Sequence, residues 1–284
     1  MSELMKNILK KTGLFLGIIV VLLGYLTINY MGFKERAVPI LMYHGVGTGD
    51  SKNWGDMLIS SELFEKQIQY LTERGYKVVS VEEVSERFRL NEDVEKYIAI
   101  SFDDGYENNY EYAFPVLQKY NATATFYIIR NAIGNDGYMN EKQIAKMVDA
   151  GMRIGSHTMS HSNLTLIDES MYQRELAGSK MLLGQRFEKA IVESISYPNG
   201  AYNDVIVRKI MEYGYKEGVT GLVGVNTKDS YDQSPMTMYR VGVYDRGNGI
   251  NDFAKTIEKA YFVGYFADKG IDLLKIRNYF ANIL

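Results

Sequence analysis

The chain has no cysteine, so it can form neither disulfide bridges nor thiolate metal sites, and any metal centre must be built from imidazole and carboxylate. It has only three histidines, which gives their positions unusual weight, and a single tryptophan. No Lys/Arg run occurs beyond the first residues, and the formal charge of -3 argues against a general nucleic-acid surface. Internal repeats and low-complexity linkers are also missing. What remains is a chain of 284 residues, 46% apolar, long enough to bury a sizeable core.

Residues 12–33 carry no charged side chain, and at about 1.5 Å per helical residue they are long enough to span a bilayer. Lys6, Lys10 and Lys11 precede this stretch, whereas Lys34 and Arg36 follow it with Glu35 between them. That bias predicts a cytoplasmic amino terminus at 1–11, a transmembrane signal anchor at 12–33 and an extracellular domain at 37–284. Secretion after signal cleavage is the alternative, although no small-x-small cleavage site is evident.

After residue 37 the pattern alternates between short β-rich runs and amphipathic stretches. Strands are expected at Val38–Tyr43, Lys77–Val81, Tyr97–Phe102, Thr123–Ile129, Met152–Ser156 and Ser194–Tyr197, and near Glu217 and Tyr239. Helices fall between them, including one from Asp168 to about Phe187 and one from about Asp252. About seven strand-helix units in a single domain predict a parallel α/β architecture, better suited to a barrel than to an open sheet.

Two constellations carry chemistry. Asp103 and Asp104 stand at the carboxyl end of the Tyr97–Phe102 strand, where successive side chains diverge, so one can bind a metal while the other moves a proton. Gly105 permits a sharp exit. His157 and His161 follow another expected strand at the interval that places two imidazoles on one face of a helical turn. With one of the two aspartates they predict a two-histidine, one-carboxylate site with positions open to water and substrate, which is typical of catalytic rather than structural centres.

These residues resemble the polysaccharide deacetylases of the NodB-homology type, carbohydrate esterase family 4. Ser101–Gly105 is similar to the family's first motif, His157-Thr-Met-Ser-His161 to its His-(Ser/Thr)-x-x-His motif, and Tyr197-Pro-Asn-Gly200 to its third, in the family's order. The family commonly has a late histidine, but none follows His161 here; instead Pro39–Val46, containing His44, resembles the early Tyr-His segment of the branch acting on poly-β-1,6-N-acetyl-D-glucosamine.

The resemblance implies a distorted, incomplete (β/α)7 barrel after the transmembrane helix, and metal-dependent N-deacetylation of a β-linked N-acetylglucosamine polymer, a biofilm exopolysaccharide, with release of acetate. It implies Asp104, His157 and His161 as ligands of a divalent ion, zinc first, with cobalt, nickel, iron or manganese as alternatives. It makes Asp103 the general base, His44 the acid, and the backbone N–H of Asn199 an oxyanion donor where relatives carry Tyr. No arginine precedes Pro198 as it does in many relatives, so Arg240 on a late strand is the candidate to reach and orient the base. Trp54, Tyr197 and Arg240 complete the candidate substrate-binding set. The rival functions are N-deacetylation of peptidoglycan or chitin oligomers, and a noncatalytic surface-anchored glycan-binding module.

Overall fold

A computed structural model describes residues 3–48, 57–247 and 249–273. Helix α1 (Glu3–Glu35) leads into strands β1 (Ala37–Val38), β2 (Ile40–Tyr43), β3 (Gly45–Gly47) and β4 (Leu58–Ser60). Then come α2 (Ser61–Glu73), β5 (Lys77–Val79), α3 (Val81–Leu90), β6 (Tyr97–Phe102), α4 (Phe114–Lys119), β7 (Thr125–Ile128), α5 (Glu141–Asp149) and β8 (Arg153–Ser156). The chain continues through α6 (Ser179–Arg186), β9 (Ser194–Ser196), α7 (Asp204–Glu212), β10 (Glu217–Val223), β11 (Asn226–Thr227), α8 (Lys228–Gln233), β12 (Met238–Gly242) and α9 (Ile250–Asp268).

Seven parallel strands close on themselves in the order β2-β6-β7-β8-β9-β10-β12, because β2 pairs with both β6 and β12. The ring is uneven. β8 and β9 share one paired position, Ser156 with Ile195, and β5 is wedged at the amino-terminal end of β6, where its Val78 carbonyl accepts from Thr123 ahead of β7. The architecture is therefore the seven-stranded α/β barrel expected from the sequence, and the first and last strands of the ring are neighbours.

Local chemistry explains the elements. Ser60, Ser80, Asn140 and Asn203 cap α2, α3, α5 and α7 by accepting a backbone N–H in the first turn. Pro115 sits in the first turn of α4, directly after a widened helical turn at Asn109–Ala113. The long helix expected from Asp168 is instead interrupted: a 3-10 turn at Glu169–Met171 and a widened turn at Gln173–Gly178 precede α6. That widened turn carries Glu175 inward to the loop described below.

Strand alternation separates two apolar layers. Ile98, Ile100 and Phe102 of β6 face the surrounding helices with Leu41, Tyr43 and Phe126, while Tyr97 and Ala99 face the barrel interior with Ile40, Tyr127, Val219 and Met238. Helix α3 contributes Val84 and Phe88 to the interior layer and plugs its lower end. Near the carboxyl-terminal ends of the strands, Phe102 stacks on Phe126 with centroids 4.7 Å apart and on Tyr43 at 5.4 Å. Such pairs add about 0.5–1.5 kcal/mol each beyond their burial and stiffen the strand ends they join. Gly155 of β8 is needed for close approach, since a Cβ there would stand 2.4 Å from the Tyr127 ring.

Helix α1 is long and apolar enough over Phe15–Glu35 to cross a membrane. Its last turns pack on the domain through Tyr30, Phe33 and Lys34.

Candidate active site

Alternation along the strands determines what reaches the carboxyl-terminal mouth of the barrel. Counting inward from Tyr97 and Ala99, Ser101 and then Asp103 point into the interior. Asp103 continues the ladder, its N–H donating to the Tyr43 carbonyl at 3.0 Å. By the same count His44, one residue past β2, follows Ile40 inward, Arg240 follows Met238 on β12, and Ser196 follows Ser194 on β9.

Asp103 and Arg240 form a buried bidentate pair, with Nη1 to Oδ1 and Nη2 to Oδ2 both at 2.8 Å. The guanidinium is itself fixed by the Thr220 carbonyl on Nε at 2.8 Å and by Ser196 Oγ at 3.0 Å. Ser196 Oγ also donates to Asp103 at 3.2 Å. Burial alone would raise the Asp103 carboxyl. The positive charge of Arg240, helped by His157, the Arg240 hydrogen bonds and His44, outweighs it and holds Asp103 well below the usual carboxylate range.

Asp104 leaves the strand differently. Its φ of 74° and that of Gly105, 82°, turn the chain sharply and aim the second carboxylate across the mouth. There Asp104 Oδ1 stands 3.4 Å from Nε2 of both His157 and His161. One donor atom from each of these three residues lies within 4.8 Å of the others. His157 directs Nδ1 at the Ser196 carbonyl, 2.8 Å away, which fixes the ring and leaves Nε2 to face the cluster.

The two histidines converge by a different local route from the helical turn expected. Thr158 and His161 both have left-handed φ, 65° and 60°, and the turn is closed by Thr158 Oγ1 accepting from the His161 N–H at 3.0 Å. Glu175, 2% exposed, braces the same turn by accepting from Ser160 N–H at 3.0 Å and Ser160 Oγ at 2.8 Å. Left-handed non-glycine residues carry strain of about 1–3 kcal/mol each, which only a surrounding bond network can hold.

The charges in the cluster oppose one another. Burial would raise Asp104, but its hydrogen bond to His157 and that ring's charge leave it lowered. Burial would lower His157, yet Asp103 and Asp104 raise it, whereas burial and the neighbouring His157 lower His161. Oxygen and two imidazole nitrogens at this spacing are a donor set suited to a divalent cation.

The remaining expectations fare unevenly. His44 lies close enough for its charge to act on Asp103, Asp104 and His161. Asn199 is exposed, on a turn with φ of 58°, beyond the end of β9. Tyr197 does not face the mouth: one residue out of phase with Ser196, it points into the helix layer, is fully buried and donates its hydroxyl to the Met236 carbonyl at 2.8 Å. It offers no face to a sugar. Arg240, 2% exposed, is likewise no sugar contact, but it reaches the expected base. Trp54 lies outside the described residues. Ser196 and Glu175 were not foreseen; the small inward residues of Ser194-Ile-Ser196 were the only hint of a polar barrel interior.

Comparison with known proteins agrees with this geometry. The polysaccharide deacetylase family profile matches residues 91–218. YxkH of Bacillus subtilis (strain 168), assigned provisionally to the polysaccharide deacetylases, is 35% identical over 213 residues, spanning 74% of this chain and 72% of its own length. A poly-β-1,6-N-acetyl-D-glucosamine N-deacetylase of Staphylococcus aureus (strain MRSA252) is 27% identical, covering 70% of this chain and 78% of that protein. Among solved structures, the Streptococcus pyogenes deacetylase PplD in complex with acetate superposes with a TM-score of 0.71 at 27% identity, over 78% of this chain and 99% of that one. The barrel, the paired aspartates and histidines at its mouth, and these likenesses together make the chain a member of the polysaccharide deacetylase family, hydrolases of N-acetyl amide bonds.

Proposed function

We propose that the domain removes acetyl groups from poly-β-1,6-N-acetyl-D-glucosamine, a biofilm exopolysaccharide, outside the cell and anchored by α1. The observation carrying the hydrolytic reading is the placement of the Asp104–His157–His161 donor cluster beside an Arg240-clamped Asp103. The substrate choice draws support from His44, directly after the first strand of the barrel, and from the likeness to the staphylococcal enzyme.

In this proposal Asp104, His157 and His161 hold a divalent cation, zinc by preference, which when bound supplies an acidified water and a polarised acetamide carbonyl. Asp103 receives the proton of the attacking water. Its clamp by Arg240 and Ser196 keeps it ionised and oriented. His44, protonated, gives a proton to the departing amine nitrogen. The Asn199 N–H donates to the carbonyl oxygen as it gains negative charge. The products are acetate and a glucosamine unit.

The test is acetate release from purified poly-β-1,6-N-acetylglucosamine, chitin oligomers and peptidoglycan, by the parent chain and by Asp103→Asn. Asp103→Asn is expected to lose turnover while binding zinc as tightly as the parent. Undiminished turnover would refute the base assignment, and release from peptidoglycan alone would reject the substrate.

A further inference from the structure

Helices α1 and α9 meet along one flank of the barrel. Tyr30 and Phe33 of α1 pack edge-on against Tyr265 of α9, with centroids 5.4 and 5.6 Å apart, and Lys34 pairs with Glu258 at 2.7 Å. Beside these contacts lies an apolar groove of about 640 Å³, walled by Leu26, Thr27 and Tyr30 on one side and Phe262, Tyr265 and Phe266 on the other. Phe262 is 51% exposed, although its ring packs on Phe266 at 4.9 Å. Half-exposed aromatic surface beside an apolar groove calls for a cover.

The α1 wall of the groove is continuous with the apolar run of that helix, where Leu22, Leu23 and Leu26 are all more than half exposed. At the groove's margin stand Glu258, its charge met by Lys34, and Lys259, a residue type whose stem can lie on apolar surface while its charge stays in water. Aromatic rings with a basic rim, next to a stretch long enough to span a bilayer, match the composition of a membrane–water boundary.

We infer that this groove seats lipid: the outer face of α9 around Phe262 enters the boundary of the bilayer that α1 crosses. The catalytic domain then rests against the membrane instead of hanging from a tether. This inference rests on the anchoring of α1 proposed above.

Because the chain has no cysteine, a single introduced thiol is unique. The full-length chain carrying Phe262→Cys is labelled with NBD and reconstituted into phosphatidylcholine–phosphatidylglycerol vesicles with and without doxyl-labelled acyl chains. Lys259→Cys at the rim repeats the measurement should the first variant fold poorly. Met211→Cys on α7, 56% exposed and far from α1 in sequence and packing, is the control. Emission from positions 262 and 259 is expected to fall in doxyl vesicles, while emission from 211 does not. Absence of quenching at 262 and 259 in chains that float with the vesicles overturns the inference and leaves the anchor standing. Failure to float overturns both. Oxidation to disulfide-linked dimers at 262 without quenching gives the groove to a second copy of the chain, and also overturns the inference.

Discussion

Replacing Arg240 by Met tests the link between the barrel interior and the chemistry most directly. The guanidinium is 2% exposed and makes two 2.8 Å bonds to Asp103. Met fills a similar apolar volume but leaves a carboxylate buried without its partner, a loss of about 3–5 kcal/mol when one member of a buried pair is removed. In a domain of this size that corresponds to a fall in Tm of roughly 10 °C. The carboxylate has a second recourse, which is to take up a proton. With the Arg240 charge gone, burial again dominates and the Asp103 pKa moves upward. In the parent, the depressed pKa contributes stability that is fully present above the ordinary carboxylate range and is lost only as pH falls below it. The variant should therefore show an acid limb of kcat/KM displaced toward neutrality, with activity partly recovered by raising the pH. Arg240→Lys, which keeps the charge but not the fork, should lie between the two. Acetate release across pH, with thermal unfolding in parallel, is the assay. A Met variant with the parent's pH profile and Tm would show that the clamp matters neither to the base nor to the barrel.

His157→Ala should abolish both divalent-metal binding, read by calorimetric titration, and acetate release, and a chelator should silence the parent until a divalent ion is restored. Glu175→Gln weakens the brace on Ser160 without touching a ligand; metal affinity should fall roughly 10–100-fold, with activity recovered at higher metal concentration. Glu217 at the opposite end of the barrel is 4% exposed, and burial, with repulsion from Glu82 and Glu193, pushes it up to about 8 from 4.5. An acid raised in the folded state costs stability as pH climbs between those two values, so Glu217→Gln should be neutral near pH 4.5 and stabilising by a few kcal/mol above pH 8, on the order of the linkage expected. Urea unfolding at both pH values checks it.

Much of this site was legible in the sequence because its residues are adjacent to strand ends and fixed by strand parity. Asp103 and Asp104 had to diverge, and they do, one into the barrel and one across its mouth. The same parity rules out Tyr197 as a sugar contact: position 196 points inward, so 197 must point outward into the helix layer. The route joining His157 to His161 was hidden because left-handed backbone at Thr158 and His161 follows from tertiary bonds, not from local propensity. Glu175 escaped notice since nothing in an amphipathic stretch distinguishes a glutamate turned inward by a widened turn. The pairing of β3 with β4 and of β1 with β11 was likewise invisible in runs of two or three residues.

The Asp103–Arg240 bond spans 137 residues of chain, whereas Asp104 is separated from His157 and His161 by less than half of that. Contacts of such long separation form late, after most of the loop entropy has been surrendered. A nascent or refolding chain would thus assemble its ion-binding half before β12 arrives to seal the ring, capturing metal while still unable to cleave anything. Hydrolytic competence would then report the last stage of barrel closure, and a refolding experiment should see the cation taken up ahead of the first acetate.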